Sequence, residues 1–157
     1  MPDSITELGV NIFFGCTITS FEVPRQVTNL VRGTFSGAGF GTLTIPSTVK
    51  SIEMYAISDT ATWTWSGLRS IENMIVNCDY SAFKGDITNA DFDFSVYEIK
   101  NMTIYTNKLW DWLVNNRLGG RGYITGSLYV KAEYLETMKT TYADSYLVKN
   151  NRIKAMA

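Results

Sequence analysis

The sequence predicts an α+β protein in which a short β-rich repeat solenoid continues into a mixed α/β C-terminal cap. Three observations predict it: a 22-residue repeat near the N-terminus, a strand pattern in the middle, and an amphipathic helix near the C-terminus. We expect the solenoid over residues 1–80, with an inserted aromatic segment near residues 60–66. The capping unit is expected over residues 81–157, continuous with the solenoid.

Three prolines define the repeat. Pro2, Pro24 and Pro46 are the only prolines, and 24 − 2 and 46 − 24 both equal 22. Alignment on them superimposes three sets of apolar residues: Ile5, Val27 and Val49; Leu8, Leu30 and Ile52; Phe13, Phe35 and Ile57. Because proline has no N–H to donate to a ladder, a short strand is expected to end before it. One unit cannot bury its own apolar face, so neighbouring units must stack and share a core.

The third unit is interrupted. The repeat register is lost after Asp59, and the seven residues from Thr60 to Ser66 are on the scale of an exposed loop or hairpin arm. The apolar spacing resumes at residues 68–71, and residues 81–85 resemble the turn that Phe13 begins in the first unit.

The C-terminal unit is predicted to alternate strands and helices. Residues 97–106 are rich in β-branched and aromatic side chains and predict a strand. A helix is predicted over residues 107–116 with Asn107 as its N-cap, followed by a strand over 123–130. The next helix, over residues 131–142, carries one apolar stripe formed by Leu135, Met138 and Tyr142. We expect this unit to close one end of the repeat stack.

Three short segments carry a family resemblance: FFGC at residues 13–16, LTIP at 43–46 and PSTVKSI at 46–52. They resemble the BspA-like leucine-rich repeats of gut bacterial surface proteins and associated phages. Residues 126–156 resemble the C-terminal ends of the same proteins. The resemblance implies a leucine-rich-repeat solenoid that serves in recognition.

Four tryptophans are the candidate interface residues. Trp63 and Trp65 lie two positions apart, so both project to one side of a strand. Such an aromatic pair binds sugars or anchors a protein interface when exposed, and the alternative is that it folds back over the solenoid edge. Trp110 and Trp112 diverge by about 200° on a helix, so one of them is an interface candidate unless both pack.

The composition disfavours several function classes. The chain has no histidine, which removes His-centred acid–base and nucleophile systems and the commonest zinc ligand. A net charge of −1 does not provide the basic surface that nucleic-acid binding requires. No apolar stretch is long enough for a transmembrane helix, so no membrane insertion is expected. We therefore predict no enzyme, no catalytic residues, no cofactor and no metal site.

Two charged clusters are interpreted as solvated surface. One comprises Asp86, Asp91 and Asp93, which lack the spacing of a calcium loop. The other comprises Arg117, Arg121 and Lys131, which no phosphate-binding loop accompanies.

The two cysteines leave alternatives open. Cys16 occupies a small-residue position of the repeat, matched by Ala38, and is predicted to lie in the core. A disulfide between Cys16 and Cys78 is one possibility and two buried free thiols are the other, because pairing depends on geometry.

These observations predict a non-enzymatic structural and recognition module that mediates protein–protein assembly, as a capsid- or tail-associated component of a phage virion. The N-terminus lacks the features of a signal peptide, which favours synthesis in the host cytoplasm and assembly into a particle. The alternative is a bacterial cell-surface or secreted adhesin fragment that binds a host protein or a glycan. We expect a homo-oligomer or part of a larger assembly, because an N-terminal end left open would expose an apolar edge.

Overall fold

The computed structural model describes residues 4–53, 56–57, 69–82, 97–109 and 124–157. Within them, six parallel strands form one sheet, and their order in the sheet is their order in the chain. These strands are β1 (Thr17–Glu22), β3 (Gly39–Ile45), β5 (Arg69–Val76), β6 (Tyr97–Ile104), β7 (Leu128–Val130) and β8 (Ile153–Ala155). A second parallel pair consists of β2 (Asn29–Leu30) and β4 (Ser51–Ile52). The helices are a 3₁₀ turn at Tyr80–Ala82, α1 (Ala132–Thr141) and α2 (Tyr146–Lys149).

The strand register confirms the repeat at its predicted length. Thr17 lies opposite Gly39 and Asn29 opposite Ser51, and both separations are 22 residues (39 − 17 and 51 − 29). The predicted sets of apolar residues therefore stack on one another, and Leu30, Phe35 and the other described members from the second unit onward are buried. The short period of the first units follows from tight turns at the end of each strand.

The spacing lengthens beyond the second strand of the main sheet. Phe40 lies opposite Ile71, 31 residues later (71 − 40), and Ile71 lies opposite Ile99, 28 residues later (99 − 71). The third unit thus carries nine residues more than the first, at the point where an insertion is predicted. Residues 60–66 themselves lie outside the described part of the chain, as do residues 83–85 of the second predicted turn.

The core lies on one side of the main sheet. Apolar residues occur on four of its strands, or directly after the strand in the case of Val23, with the spacing apolar-x-x-apolar-x-apolar: Ile18, Phe21 and Val23; Phe40, Leu43 and Ile45; Ile71, Met74 and Val76; Ile99, Met102 and Ile104. The parallel register aligns them in rows across the strands, and the central row continues to Leu128 and Ile153. In that row Leu43, Met74 and Met102 are fully buried.

Four phenylalanines close the core in the first two units. Phe13, Phe21, Phe35 and Phe40 have ring centroids 4.8 to 6.2 Å apart, mostly in edge-to-face pairs. Two of these rings come from turns and two from strands, so the cluster fixes each turn against the sheet. Aromatic pairs at such distances contribute about 0.5–1.5 kcal/mol beyond their burial.

The C-terminal helix is confirmed and the strand before it is shorter than predicted. Met138 of α1 is buried, and Leu135 and Tyr142 pack against the core as the apolar stripe predicts. The predicted strand over 123–130 is reduced to β7, because Ile124 forms only an isolated bridge to β6. One additional residue separates that bridge from the β7 pairing, which interrupts the ladder as a bulge does.

Two further details concern helices. Residues 107–109 are not helical, and the rest of the helix predicted over 107–116 lies outside the described residues. Ser145 caps α2 by accepting a hydrogen bond from the N–H of Val148 at 3.3 Å. Of the helices in the described ranges, none has the length and apolar character needed to cross a lipid bilayer.

Candidate interaction surfaces

The outer side of the main sheet is polar. Between the buried rows, the strands present threonine, serine, asparagine and single charged residues to solvent, together with the half-buried Ile75 and Tyr129. The Lys100 ammonium lies 2.6 Å from the Glu72 carboxylate on the neighbouring strand, and both side chains are more than half exposed. Exposed ion pairs contribute little to stability, so we expect this pair to add little to the free energy of unfolding.

An asparagine pair orders the centre of this side. The Asn101 amide donates to the side-chain oxygen of Asn73 at 3.3 Å, and its own oxygen accepts the backbone N–H of Ser127 at 3.2 Å. The Asn101 side chain therefore satisfies a backbone group at the bulge before β7. Gly126 also lies close there, because a Cβ on it would come 2.5 Å from the carbonyl oxygen of Lys100.

The N-terminal end of the sheet exposes apolar side chains. Val10, Ile12 and Phe14 are 60%, 45% and 54% exposed and come from one turn. Their turn directly precedes β1, the outermost strand of the sheet within the described residues. Together these three side chains and β1 form what we call the N-terminal edge.

The prediction that Cys16 lies in the core is wrong. Cys16 is exposed, whereas the matched Ala38 is fully buried. The reason is position in the stack: Ala38 has units on both sides, and in the described chain Cys16 has a unit on one side only. Cys16 and Cys78 are both free, so they form no disulfide, and of the two thiols only that of Cys78 is buried.

Two equivalent glycines show that the turn of the first unit has no packing partner on its outer side within the described residues. Gly15 and Gly37 have left-handed φ values of +76° and +67°, and Gly15 donates a backbone hydrogen bond to the carbonyl oxygen of Gly37 at 3.1 Å. The ring of Phe14 covers Gly37, whereas a Cβ on Gly15 would meet no atom within 4 Å. The turn of the first unit thus packs on the second and has open space on its other side.

A groove crosses the carboxyl ends of the parallel strands. It consists of two adjoining cavities of about 460 and 260 Å³ that share Ser47 and Asn77. The larger is lined by residues that follow β3 (Ser47, Lys50), β5 (Asn77, Cys78, Asp79) and β6 (Tyr105, Thr106, Asn107), and by Tyr134 of α1. Because the strands are parallel, the segments that follow them meet at the same edge of the sheet. We call this feature the strand-end groove.

The pKa values of two groove residues, Asp79 and Cys78, are shifted in opposite directions. Hydrogen bonds from the hydroxyl and backbone N–H of Ser81 lower the pKa of Asp79, and the nearby Lys50 ammonium acts in the same direction. Desolvation raises the pKa of the Cys78 thiol to about 11. Asp79 is therefore ionised and Cys78 protonated at neutral pH, so the thiol is not a ready nucleophile.

None of the site residues predicted from the sequence lines the strand-end groove among the described residues. All four tryptophans, Trp63, Trp65, Trp110 and Trp112, lie outside the described residues, and their role remains a prediction. Five of the six residues in the charged clusters, Asp86, Asp91, Asp93, Arg117 and Arg121, also lie outside. The sixth, Lys131, has its ammonium 3.8 Å from the Glu133 carboxylate and 5.5 Å from the ring centroid of Tyr134. No group of potential metal ligands occurs among the described residues.

The groove residues were missed by sequence reasoning. Tyr105 fell inside the strand predicted over residues 97–106, whereas β6 ends at Ile104. Ser47 directly follows the proline that ends a predicted strand, and Lys50 lies three positions further on. Position after a strand end was therefore an available signal. The sequence position of these residues did not show which strand ends lie side by side, because the repeat units differ in length.

The repeated apolar spacing on stacked parallel strands defines the chain as a leucine-rich repeat protein. A family model described as BspA type leucine rich repeat region (6 copies) matches residues 1–111, well over half of the chain. The chain belongs to the BspA-type leucine-rich repeat family, which confirms the resemblance in the sequence. Members of this class are typically non-enzymatic protein-interaction or surface-adhesin modules. No curated protein and no solved structure gave a significant match to the chain.

Proposed function

We propose that this chain is a non-enzymatic recognition module that assembles with further copies of itself through the N-terminal edge. The observation that carries the proposal is the exposure of Val10, Ile12 and Phe14 in the turn that precedes the outermost strand of the described sheet. Exposed apolar side chains next to a strand edge favour pairing with another chain, because both apolar surface and backbone hydrogen-bonding groups are left in water.

Charge favours a second copy, added in a head-to-tail manner, as the occupant of this edge. One solvent-facing row runs across the whole sheet from Glu22 on β1 to Lys154 on β8, and both end residues are exposed. If β8 of one copy continued the sheet beside β1 of the next, Lys154 would lie opposite Glu22. The same register would place Ile153 beside Phe21 and extend the central core row. Such a contact is heterologous and builds rings or filaments.

The proposed architecture and setting follow the prediction. We propose a leucine-rich-repeat solenoid over residues 1–80 and an α/β cap over 81–157, with Trp63, Trp65, Trp110 and Trp112 as further interface candidates. A capsid- or tail-associated role in a phage virion is supported by the self-complementary ends, since particles are built from repeated contacts. The alternative role, a bacterial surface adhesin that binds host protein or glycan, is supported by the family.

The self-assembly test is the native mass of the purified chain, measured by light scattering across a range of concentrations. The wild-type mass is expected to rise with concentration, and V10S/F14S is expected to stay monomeric because it makes the edge polar. E22K and K154E should each fail to assemble alone, because each places like charges at the contact. A mixture of the two should assemble as the wild type does, with the variants alternating, because both contacts between unlike copies pair a lysine with a glutamate. E136K on α1 is the matched charge control and should behave as wild type.

A strictly monomeric wild-type chain at every concentration would overturn the self-assembly proposal. The setting is tested separately by mass spectrometry of purified particles and of cell-surface fractions from the producing culture. Recovery of the chain in particles supports the virion role, and recovery only in the surface fraction supports the adhesin role.

A further inference from the structure

We propose that the strand-end groove is a binding site for a neutral oligosaccharide, an activity separate from self-assembly. The groove lies at the carboxyl ends of the strands. Its larger cavity has no lining residue on the N-terminal edge, and the smaller cavity shares Glu22 with that edge. Its larger cavity, about 460 Å³, has the size of pockets that hold small ligands. The groove has aromatic walls, polar side chains that make no hydrogen bond to the described residues, and charges of both signs.

Two tyrosines provide the apolar surfaces. Tyr105 is 44% exposed and follows β6, while Tyr134 lines the same cavity from α1. The Lys131 ammonium lies over the Tyr134 ring at 5.5 Å from its centroid, which restrains that ring. Tyrosine offers a flat apolar ring with a hydroxyl at its tip. A pyranose ring has the complementary pattern, with a face of C–H groups and a rim of hydroxyls.

Amide side chains supply hydrogen-bonding groups that the described part of the protein does not use. The side-chain amides of Asn77 and Asn107 make no hydrogen bond to any described residue, and neither do the hydroxyls of Tyr105 and Tyr134. An asparagine amide donates and accepts at once, and so does a sugar hydroxyl. The groove therefore presents paired donors and acceptors beside apolar rings.

The charge of the groove favours a ligand without net charge. Lys50 and Asp79 line the larger cavity, and Arg25 and Glu22 line the smaller one, so each cavity holds one cation and one anion. A phosphate, a sulfated glycan or a basic peptide would meet a like charge beside every opposite one. A neutral oligosaccharide meets no such penalty, and its hydroxyls accept from Lys50 and donate to Asp79.

The two cavities together suit a ligand of several sugar units. They adjoin at Ser47 and Asn77, and the smaller adds about 260 Å³. The smaller cavity is also lined by Thr48, whose hydroxyl oxygen is buried and has no partner among the described residues. A buried hydroxyl without a partner costs stability, and a ligand hydroxyl in this cavity would remove that cost.

The test uses the full chain and isothermal titration with three neutral probes: cellotetraose, maltotetraose and chitotetraose. Binding of at least one is expected, and heparin tetrasaccharide and sialyllactose are expected to bind at least about tenfold more weakly. Y105A should weaken binding of the neutral probe about tenfold or more, and N107A about threefold or more. Y129A is the matched control, since Tyr129 is half-buried on the sheet outside the groove, and it should bind as wild type. Thermal unfolding of each variant verifies that it is folded.

Three results would overturn the proposal: no binding of any neutral probe at millimolar concentration, equal loss in Y129A and Y105A, or stronger binding of an acidic probe. Capture of a peptide that Y105A abolishes, without sugar binding, would also overturn it. V10S/F14S separates the two proposals, because it removes the N-terminal edge and should keep full sugar binding. Loss of assembly with sugar binding intact in this variant supports both proposals. A wild-type chain that binds sugar without assembling, or that assembles without binding sugar, shows which of the two has failed.

Discussion

The ring of Phe14 lies across Gly37 of the following unit, so that a Cβ on Gly37 would come 2.5 Å from Cδ2 of Phe14. Gly37 has a φ of +67°, in the left-handed region that disfavours other residues. Two requirements therefore act on one position, a backbone conformation and a close contact between units. The matched Gly15 shares the first requirement only, because its surroundings are open.

This pair predicts different costs for two glycine substitutions. G15A should lower the free energy of unfolding by about 1–2 kcal/mol, the cost of a left-handed conformation for a residue with a Cβ. G37A should cost about 1 kcal/mol more, because Phe14 must also move away. Urea unfolding of both variants measures the difference. In F14A/G37A the additional cost should disappear, and equal costs for G15A and G37A would show that the Phe14 contact has no energetic role.

The aromatic cluster predicts the largest loss of stability from a single truncation. Phe35 is fully buried, and its centroid lies 5.6 Å from that of Phe40 and 5.7 Å from that of Phe13. F35A should lower the free energy of unfolding by about 3–5 kcal/mol through lost contacts and a cavity. F35L gives a smaller, measurable loss if F35A does not fold. T44A, on the solvent side of β3, is the control and should change it by less than about 0.5 kcal/mol; similar effects of T44A and F35L would contradict the prediction.

The asparagine pair predicts that the two amides are unequal. N101A leaves the Ser127 N–H without its acceptor and should cost about 1–3 kcal/mol of unfolding free energy. N73A removes only the oxygen that accepts from Asn101, whose half-buried amide can turn to water, so its cost should stay below about 1 kcal/mol. N101D keeps an acceptor for Ser127 and should lie between them. The three values come from denaturant unfolding, and a larger loss in N73A than in N101A would reverse the assignment.

The buried thiol predicts a loss of stability at alkaline pH. Burial raises the pKa of Cys78 from 9.0 to about 11, so the unfolded chain releases this proton at lower pH than the folded one. Ionisation of the thiol does not change stability well below pH 9, where it is protonated in both states; between pH 9 and 11 stability should fall by about 1.4 kcal/mol per pH unit. Because lysines and tyrosines titrate in the same range, the measurement is the difference between wild type and C78A. The stability of the wild type relative to C78A should fall as the pH rises through this range, and a constant difference would contradict the prediction.

Alkylation provides an independent measurement on the two thiols. At pH 8 iodoacetamide should modify the exposed Cys16 of the folded chain and leave the buried Cys78 unmodified until the chain is unfolded. Mass spectrometry of the modified protein counts the labelled thiols. The C16A variant should take up no label when folded, and rapid labelling of this variant would show that Cys78 is accessible.

The sequence by itself determined the local pattern of this protein. Its proline spacing established the 22-residue register of β1 with β3, and its apolar sets identified Leu30, Phe35 and other core residues. The stripe on α1 was predicted for the same reason. Strand and helix periodicity decides which side chains of a unit face the core. This periodicity depends only on residues close together in the sequence, so the sequence alone can predict it.

Only the tertiary structure decided which positions have a neighbouring unit on each side and which distant residues meet. Cys16 and Ala38 are equivalent in the repeat, yet one is exposed and the other buried, because a repeat pattern does not encode a unit's place in the stack. The strand-end groove brings Lys50, Asp79 and Tyr105 together from units of different lengths. That juxtaposition depends on the lateral register of parallel strands, which backbone hydrogen bonds between units establish and no local spacing contains.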